Sequence, residues 1–479
     1  MTAIDIGAPG EGALDEDTAA EHIHGICLKT GPPRRVGVEL EWLVRDVRDP
    51  ALPVPAGRIA SAVSAFGADP APGAARGDPD QQQLDQPKRD QEKQNGDGHD
   101  GAGLPTSSRP GVLPSGAPLT TEPGGQLEIS SLPADSLSAL VRATSADLTA
   151  LRAALAASGL ELAGIGLDPL RPPRRILNLP RYAAMEAFFD SGGPWGRQMM
   201  GGTASVQVCL DAGDDSDGPS GYRWRWRLLH AVGPVLVAAF ANSPLREGKP
   251  TGWASSRQQV WAQMDPGRTR APRLDADPRA AWAAYALDAQ LMCVRGADPA
   301  DWSAPPLTLR EWLQAGRGPG GPGSADGERL RRPTIGDLEY HLSTLFPPVR
   351  PRGHFELRMI DAQPADGWRV PLAVCWALLS DSTAGSAALD ALAPLWDGAG
   401  QAGTASPDRG DDSPWLRAAR LGPGDPAVSR ASRACFAAAR DALGRLAAPA
   451  EITAAVDAFT EKYVNRDRCP ADDLLEELT

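Results

Sequence analysis

Residues 36–44 read VGVELEWLV, in which Val36, Val38, Leu40, Trp42 and Val44 alternate with Gly37, Glu39 and Glu41. A period of two marks a strand with unlike faces. Both glutamates must then share one face opposite an apolar one, although glutamate is depleted in strands. Such a face is either solvated or set aside for a ligand, and the segment alone leaves both readings open.

Three further segments repeat the pattern. TTEPGGQLEISSLP (120–133) sets Glu128 against Leu127 and Ile129 and puts Glu122 just before a Pro-Gly-Gly turn. MMGGTASVQVCLD (199–211) places Thr203, Ser205, Gln207 and Cys209 on one face, a row of small neutral groups that contacts a ligand or faces water. GHFELRMID (353–361) aligns His354, Glu356 and Arg358 opposite Phe355, Leu357 and Met359. If the apolar sides of all four meet helices, the polar sides form a wall bearing Glu39, Glu41, Glu128 and Glu356, with Glu122 at its rim. Crowded carboxylates repel unless protonated or bridged by cations. Oxygen ligands without an EF-hand loop or paired His or Cys point to Mg²⁺ or Mn²⁺ shared with substrate phosphates. The chain has neither a G-x-x-x-x-G-K-[ST] loop nor a Rossmann glycine fingerprint, so a nucleotide is held through its metals.

Elsewhere the signals are helical, without a regular βαβ rhythm, which predicts an α+β fold around an antiparallel sheet. Asp135 is placed to cap a helix with an apolar stripe from Leu137 to Leu155 that stops at Gly159. Further helices are expected near 18–28, 181–189, 224–240, 278–292, 370–379, 429–446 and 451–463, covering the sheet from one side. With 51 glycines and 46 prolines among 479 residues, parts of the chain are expected to be loop. The segment 69–114 is nearly devoid of apolar residues around its Gln-rich stretch and reads as a disordered insertion; 213–221, 316–327 and 397–412 read as shorter loops. A net charge of −13 with no basic stripe argues against nucleic acid and anionic lipid. The acidic start does not read as a signal peptide, and 228–241 is too short to span a bilayer, so a cytoplasmic protein is expected. The six cysteines lack metal-ligand spacing and read as reduced, mostly buried thiols.

VGVELEW, LTTEPGGQLEIS, MMGGTASVQVCLD, ANSPLREGKPTGWASSRQQVW and LSTLFPPVRPRGHFELRMIDAQP together resemble the glutamate-cysteine ligases of the plant and actinobacterial type, nearest the ergothioneine-pathway branch. The likeness runs from about Arg34 to Gln363, with weaker support beyond. It implies a glutamine-synthetase-like fold, in which a curved antiparallel sheet covered by helices cups the active site. It further implies one ligase domain over 1–479, with 367–479 as its helical C-terminal part. The implied reaction joins L-glutamate to L-cysteine with ATP and Mg²⁺, through γ-glutamyl phosphate. Carried over by motif, Glu39, Glu41, Glu122, Glu128, Gln207 and Glu356 match or neighbour metal ligands, the glutamates being the expected ligands, and Glu41 and Arg358 are the expected catalytic pair. Thr203, Ser205 and Gln207 would contact substrate. Two anionic amino acids need cationic partners, for which Arg257, Arg350, Arg352 and Arg358 are the candidates, with Arg246 and Lys249 further out. Trp253, Trp261 and Tyr340 are expected in the core. On this reading Glu356→Gln folds normally and loses turnover. The alternatives are a ligase for another amine, a non-catalytic metal- or nucleotide-binding homologue, and a carboxylate-pair hydrolase.

Overall fold

A computed structural model of the chain describes residues 14–67, 111–296, 302–315, 331–396 and 413–478. The alternating segments are strands: β1 (Val36–Asp46), β2 (Gly111–Val112), β3 (Pro118–Thr121), β4 (Leu127–Ser130), β5 (Leu160–Ala163), β6 (Ser205–Asp211), β7 (Leu245–Arg246), β8 (Lys249–Pro250), β9 (Val349–Pro351) and β10 (His354–Asp361). One antiparallel sheet runs β2-β3-β4-β1-β6-β10-β9, β5 pairs with the second half of β1, and β7–β8 is a separate hairpin. The architecture is α+β, as expected, and the sheet is open.

The apolar face is set by Val36, Val38 and Leu40 of β1, Leu127 and Ile129 of β4, Val206 and Val208 of β6, and Phe355 and Leu357 of β10, all buried. Behind it the helix Tyr222–Ala239 lies on β10, and Arg369–Ser380 lies on β6. Pro426–Arg445 and Ala450–Lys462 pack on Arg369–Ser380. Tyr222–Ala239 is buried nearly all round, as a helix apolar on every side must be. The helix Leu137–Ala157 buries the predicted stripe and ends before Gly159 (φ +64°), but its N-cap is Ser136, which accepts from the Ala139 N–H. Asp135, expected there, lies one residue outside. Among the described residues no single helix is long and apolar enough to cross a membrane.

Two expectations change. Residues 68–110 lie outside the described chain, as do 316–327 and 397–412 of the expected loops, but Gly111–Val112 pairs with β3 and Leu113 is buried, so ordered structure begins before Pro114. The helices also do not all lie on one side. Pro180–Asp190, Trp195–Gly202 and Ser256–Met264 pack together over the polar face, around a separate cluster of Met185, Phe189, Met199, Met200, Val260, Trp261, Met264, Met292 and Phe346. The residues 199–202 read as strand are the last turn of one of these helices.

Candidate active site

Between the polar sheet face and the methionine-rich helices lies a cavity of about 450 Å³. Glu39, Glu41, Glu122 and Glu128 line one part of it, and Arg257, Arg350, Arg352 and Arg358 another, with Thr203 and Gln207 also on the wall. The structure therefore gathers most of the residues singled out from the sequence into one wall.

The acidic part follows from register. Glu41 of β1 stands directly opposite Glu128 of β4, and Glu39 lies opposite Ser130 on one side and Gln207 on the other. Like charges facing each other across strands destabilise a sheet, so the pair is held by polar neighbours. Glu41 accepts from the Ser205 hydroxyl at 2.9 Å and the Gln207 amide at 2.8 Å; Glu128 accepts from Thr120 and Ser130, each at 3.2 Å. Ser205, expected to touch substrate, does not line the cavity and reaches it through Glu41. Thr203 lines the wall, with its hydroxyl donated to the Met199 carbonyl at 2.7 Å. Glu122 sits on the turn whose Gly125 N–H closes on the Glu122 carbonyl at 2.8 Å. A Cβ on Gly124 would meet the Gly201 backbone at 2.4 Å, so glycine lets this turn close against the far wall. Gln126, missed from the sequence, fastens the approach by donating to the Met200 and Thr203 carbonyls at 3.3 and 2.9 Å.

Gln207 joins the two parts. Its NH₂ donates to Glu41 and its carbonyl oxygen accepts from Arg358 Nη1 at 2.5 Å, the only amide orientation that satisfies a carboxylate and a guanidinium together. Arg358 reaches it from a β-bulge. Leu357 pairs with Val208 and Ile360 with Val206, so Arg358 and Met359 both face the single residue Gln207. Because of this extra residue, Asp361 returns to the polar side opposite Ser205, where strict alternation from Glu356 would not put it.

Glu356, expected among the metal ligands, is 0% exposed and does not line the cavity. Directly opposite Arg350 across the β9–β10 hairpin, it accepts from Arg350 Nη2 at 3.0 Å and from Arg358 Nη1, with Arg352 at 3.7 Å. Burial pushes its carboxyl up, but Arg350, Arg358 and Arg352 together hold it well below the ordinary carboxylate range. A fully buried carboxylate recruits the nearest cations, which the sequence could not pair in advance.

The far wall holds Arg181, Tyr182, Met185, Met199, Met200, Trp261 and Phe346. Trp261, expected in the core, lies under Arg257 at 4.7 Å from guanidinium to ring centre. Arg257 is 1% exposed; its Nη2 donates to the Arg358 carbonyl at 2.8 Å, while Nε and Nη1 have no hydrogen-bond partner. Arg246, Lys249 and His354 do not line this cavity. Among the described residues no three His, Cys, Asp or Glu side chains cluster closely enough to hold a metal ion by themselves. The opposed Glu41–Glu128 pair beside Glu39 still offers hard oxygens that fit a divalent cation whose remaining ligands come from a substrate.

Residues 35–477 match the glutamate-cysteine ligase family 2 (GCS2). The glutamate–cysteine ligase EgtA of Mycobacterium tuberculosis is 35% identical over 482 aligned positions, covering 98% of this chain and 92% of that one. The protein of the same name from Mycolicibacterium smegmatis is 39% identical over 373, covering 75% of this chain and 78% of its own. The crystal structure of a glutamate–cysteine ligase from Francisella tularensis in complex with AMP superposes with a TM-score of 0.46 at 11% identity, over 94% of this chain and 85% of that one.

Proposed function

The chain belongs to the glutamate-cysteine ligase family 2, and from that premise we propose that its cavity joins the γ-carboxylate of L-glutamate to the amine of L-cysteine, with ATP converted to ADP and phosphate. The observation that carries this reading is that Glu39, Glu41, Glu122 and Glu128 line one cavity together with Arg257, Arg350, Arg352 and Arg358. Two amino acids and a triphosphate bring many negative oxygens, and a site for them needs cations on both sides.

Mg²⁺ held by Glu39, Glu41 and Glu128 together with phosphate oxygens, with Glu122 at the rim, would offset charge on the nucleotide. Arg350, Arg352 and Arg358, gathered around Glu356 at the cavity, would hold a substrate carboxylate or the transferred phosphoryl group. In this scheme the γ-carboxylate attacks the terminal phosphorus and ADP departs. The cysteine amine then attacks the acyl carbon of γ-glutamyl phosphate and phosphate leaves. Catalysis is mainly positioning and charge stabilisation. Glu41 and Arg358, tied to each other through Gln207, keep metal and reacting oxygens in one frame. The reading takes 1–479 as one ligase domain acting in the cytoplasm, where ATP and reduced thiols meet, and the likeness to the EgtA proteins supports a place in ergothioneine synthesis.

The test is phosphate release from MgATP and L-glutamate with each other amino acid added singly, with mass spectrometry of the product. Release dependent on cysteine, with γ-glutamylcysteine formed, is expected. Release with another amine would change the acceptor, and none with any amine would overturn the ligase reading.

A further inference from the structure

Asp361 lies beyond the cavity wall and enters none of the steps above. It is buried, yet its oxygens are fully engaged: Oδ2 accepts from the Asn242 N–H at 2.9 Å and the Ser243 hydroxyl at 2.7 Å, and Oδ1 from the Ser255 hydroxyl at 3.0 Å. A Cβ on Gly166 would come within 2.5 Å of the Asp361 carboxyl carbon, so the backbone there is shaped around this group. The charged side chain facing it is Arg257, with Nη1 3.8 Å from Oδ1. At that distance Asp361 lends charge but no hydrogen bond. The Ser243 hydroxyl also accepts from the Arg257 backbone N–H at 3.1 Å, so one side chain ties both residues.

This arrangement has a consequence for Arg257. Burial works against its charge, and Asp361 is the largest counterweight. Three neutral donors engage the carboxylate, which stands beside the guanidinium without a hydrogen bond to it, and the buried Nε and Nη1 have no hydrogen-bond partner on a side chain that lines the cavity. A guanidinium keeps its charge when buried, and one with unused donors on a cavity wall is suited to an oxyanion.

We infer that Asp361 is a positioning residue, which through Ser243 fixes Arg257 at the cavity wall without capping its guanidinium, so that Arg257 binds an oxyanion of substrate, either an amino-acid carboxylate or a nucleotide phosphate. The inference rests on the ligase reading for the identity of the substrates but not for the coupling between the two residues.

The experiment compares wild type, Asp361→Asn, Arg257→Gln and the double variant. It measures kcat and the KM of ATP, glutamate and cysteine, with calorimetric Kd values for glutamate and a non-hydrolysable ATP analogue. Asp361→Asn should raise KM and Kd for one anionic substrate by about tenfold and leave kcat within about threefold. Added to Arg257→Gln it should change little further, less than about twofold, because its route of action is already gone. A rise for ATP identifies the phosphate, and one for glutamate or cysteine a carboxylate. Unchanged constants for Asp361→Asn, a loss confined to kcat, or losses that multiply in full in the double variant would overturn the inference. If Asp361→Asn does not fold, Ser243→Ala carries the same test, with a rise of at least about threefold for the same substrate expected and no change overturning it. A wild type that forms no γ-glutamylcysteine sinks the ligase reading alone, since the calorimetry still decides the coupling.

Discussion

Apart from Arg257, which stands on the helix Ser256–Met264, the carboxylate part and the arginine part of the cavity wall come from one sheet and its turns, yet they handle charge in opposite ways. In the first, Glu41 and Glu128 face each other in register, and Glu41 is steadied by the neutral Ser205 and Gln207. In the second, Glu356 is enclosed by Arg350, Arg352 and Arg358. The acidic part offers carboxylate oxygens to a bound cation; the arginine part has built a counter-ion of its own into the fold. Substitutions in the first should therefore disturb metal and nucleotide handling, and substitutions in the second should disturb folding as well.

Glu356→Gln gives the largest effect and the sharpest break. It would leave three buried or half-buried guanidinium groups without their common carboxylate, so we expect a loss of about 3 kcal/mol in denaturant unfolding together with nearly all turnover. Unchanged stability would restore the sequence-based expectation of a normal fold and erase the contrast. Glu41→Gln comes next: about a hundredfold loss in kcat/KM, roughly 3 kcal/mol in barrier, and a higher Mg²⁺ concentration for half-maximal rate, with unfolding shifted by less than about 1 kcal/mol. If its Mg²⁺ dependence matches that of wild type, Glu41 does not belong to the metal end. Arg352→Gln, at the longest of the three contacts with Glu356, should cost about 1 kcal/mol of stability and leave the Mg²⁺ dependence unchanged.

The smallest effect lies in the acid limb. Glu356 is held below its ordinary value of 4.5, so its contribution is present above that pH and is lost as pH falls below it. Asp361 has the opposite sign: burial raises its pKa above 3.8, and its contribution fades as pH rises through that raised value. Stability measured downward from pH 4.5 should fall more steeply in wild type than in Glu356→Gln. Parallel curves would mean that Glu356 does not hold its charge through the arginines.

The same contrast explains what could be read from the sequence. Glu39, Glu41 and Glu128 were legible because period two fixes which side chains share a face, and turn chemistry set Glu122 beside them. The arginine part was legible in residue type but not in pairing: the Arg350–Glu356 contact depends on a hairpin register, and the extra residue at Arg358–Met359 leaves no mark in the alternation. Asp361 was missed for that reason. The second wall was missed for another. Met185, Met199 and Met200 sit on short helices whose apolar residues look like any core stripe, and only tertiary packing shows that they close a cavity.

The bulge in β10 also bears on how this segment can change in evolution or in the laboratory. Upstream of it the chain is in step with β6 in one phase, downstream in the other, so Glu356 and Asp361 both stand on the polar side. Loss of Met359 would remove the bulge and leave Arg358 opposite Gln207, Ile360 opposite Val206 and Asp361 opposite Ser205, whereas an added residue would turn one half of the strand over. The stretch from His354 to Asp361 should therefore bear the loss of Met359 better than the gain of a residue, and scans of single deletions and single insertions should differ there in that sense.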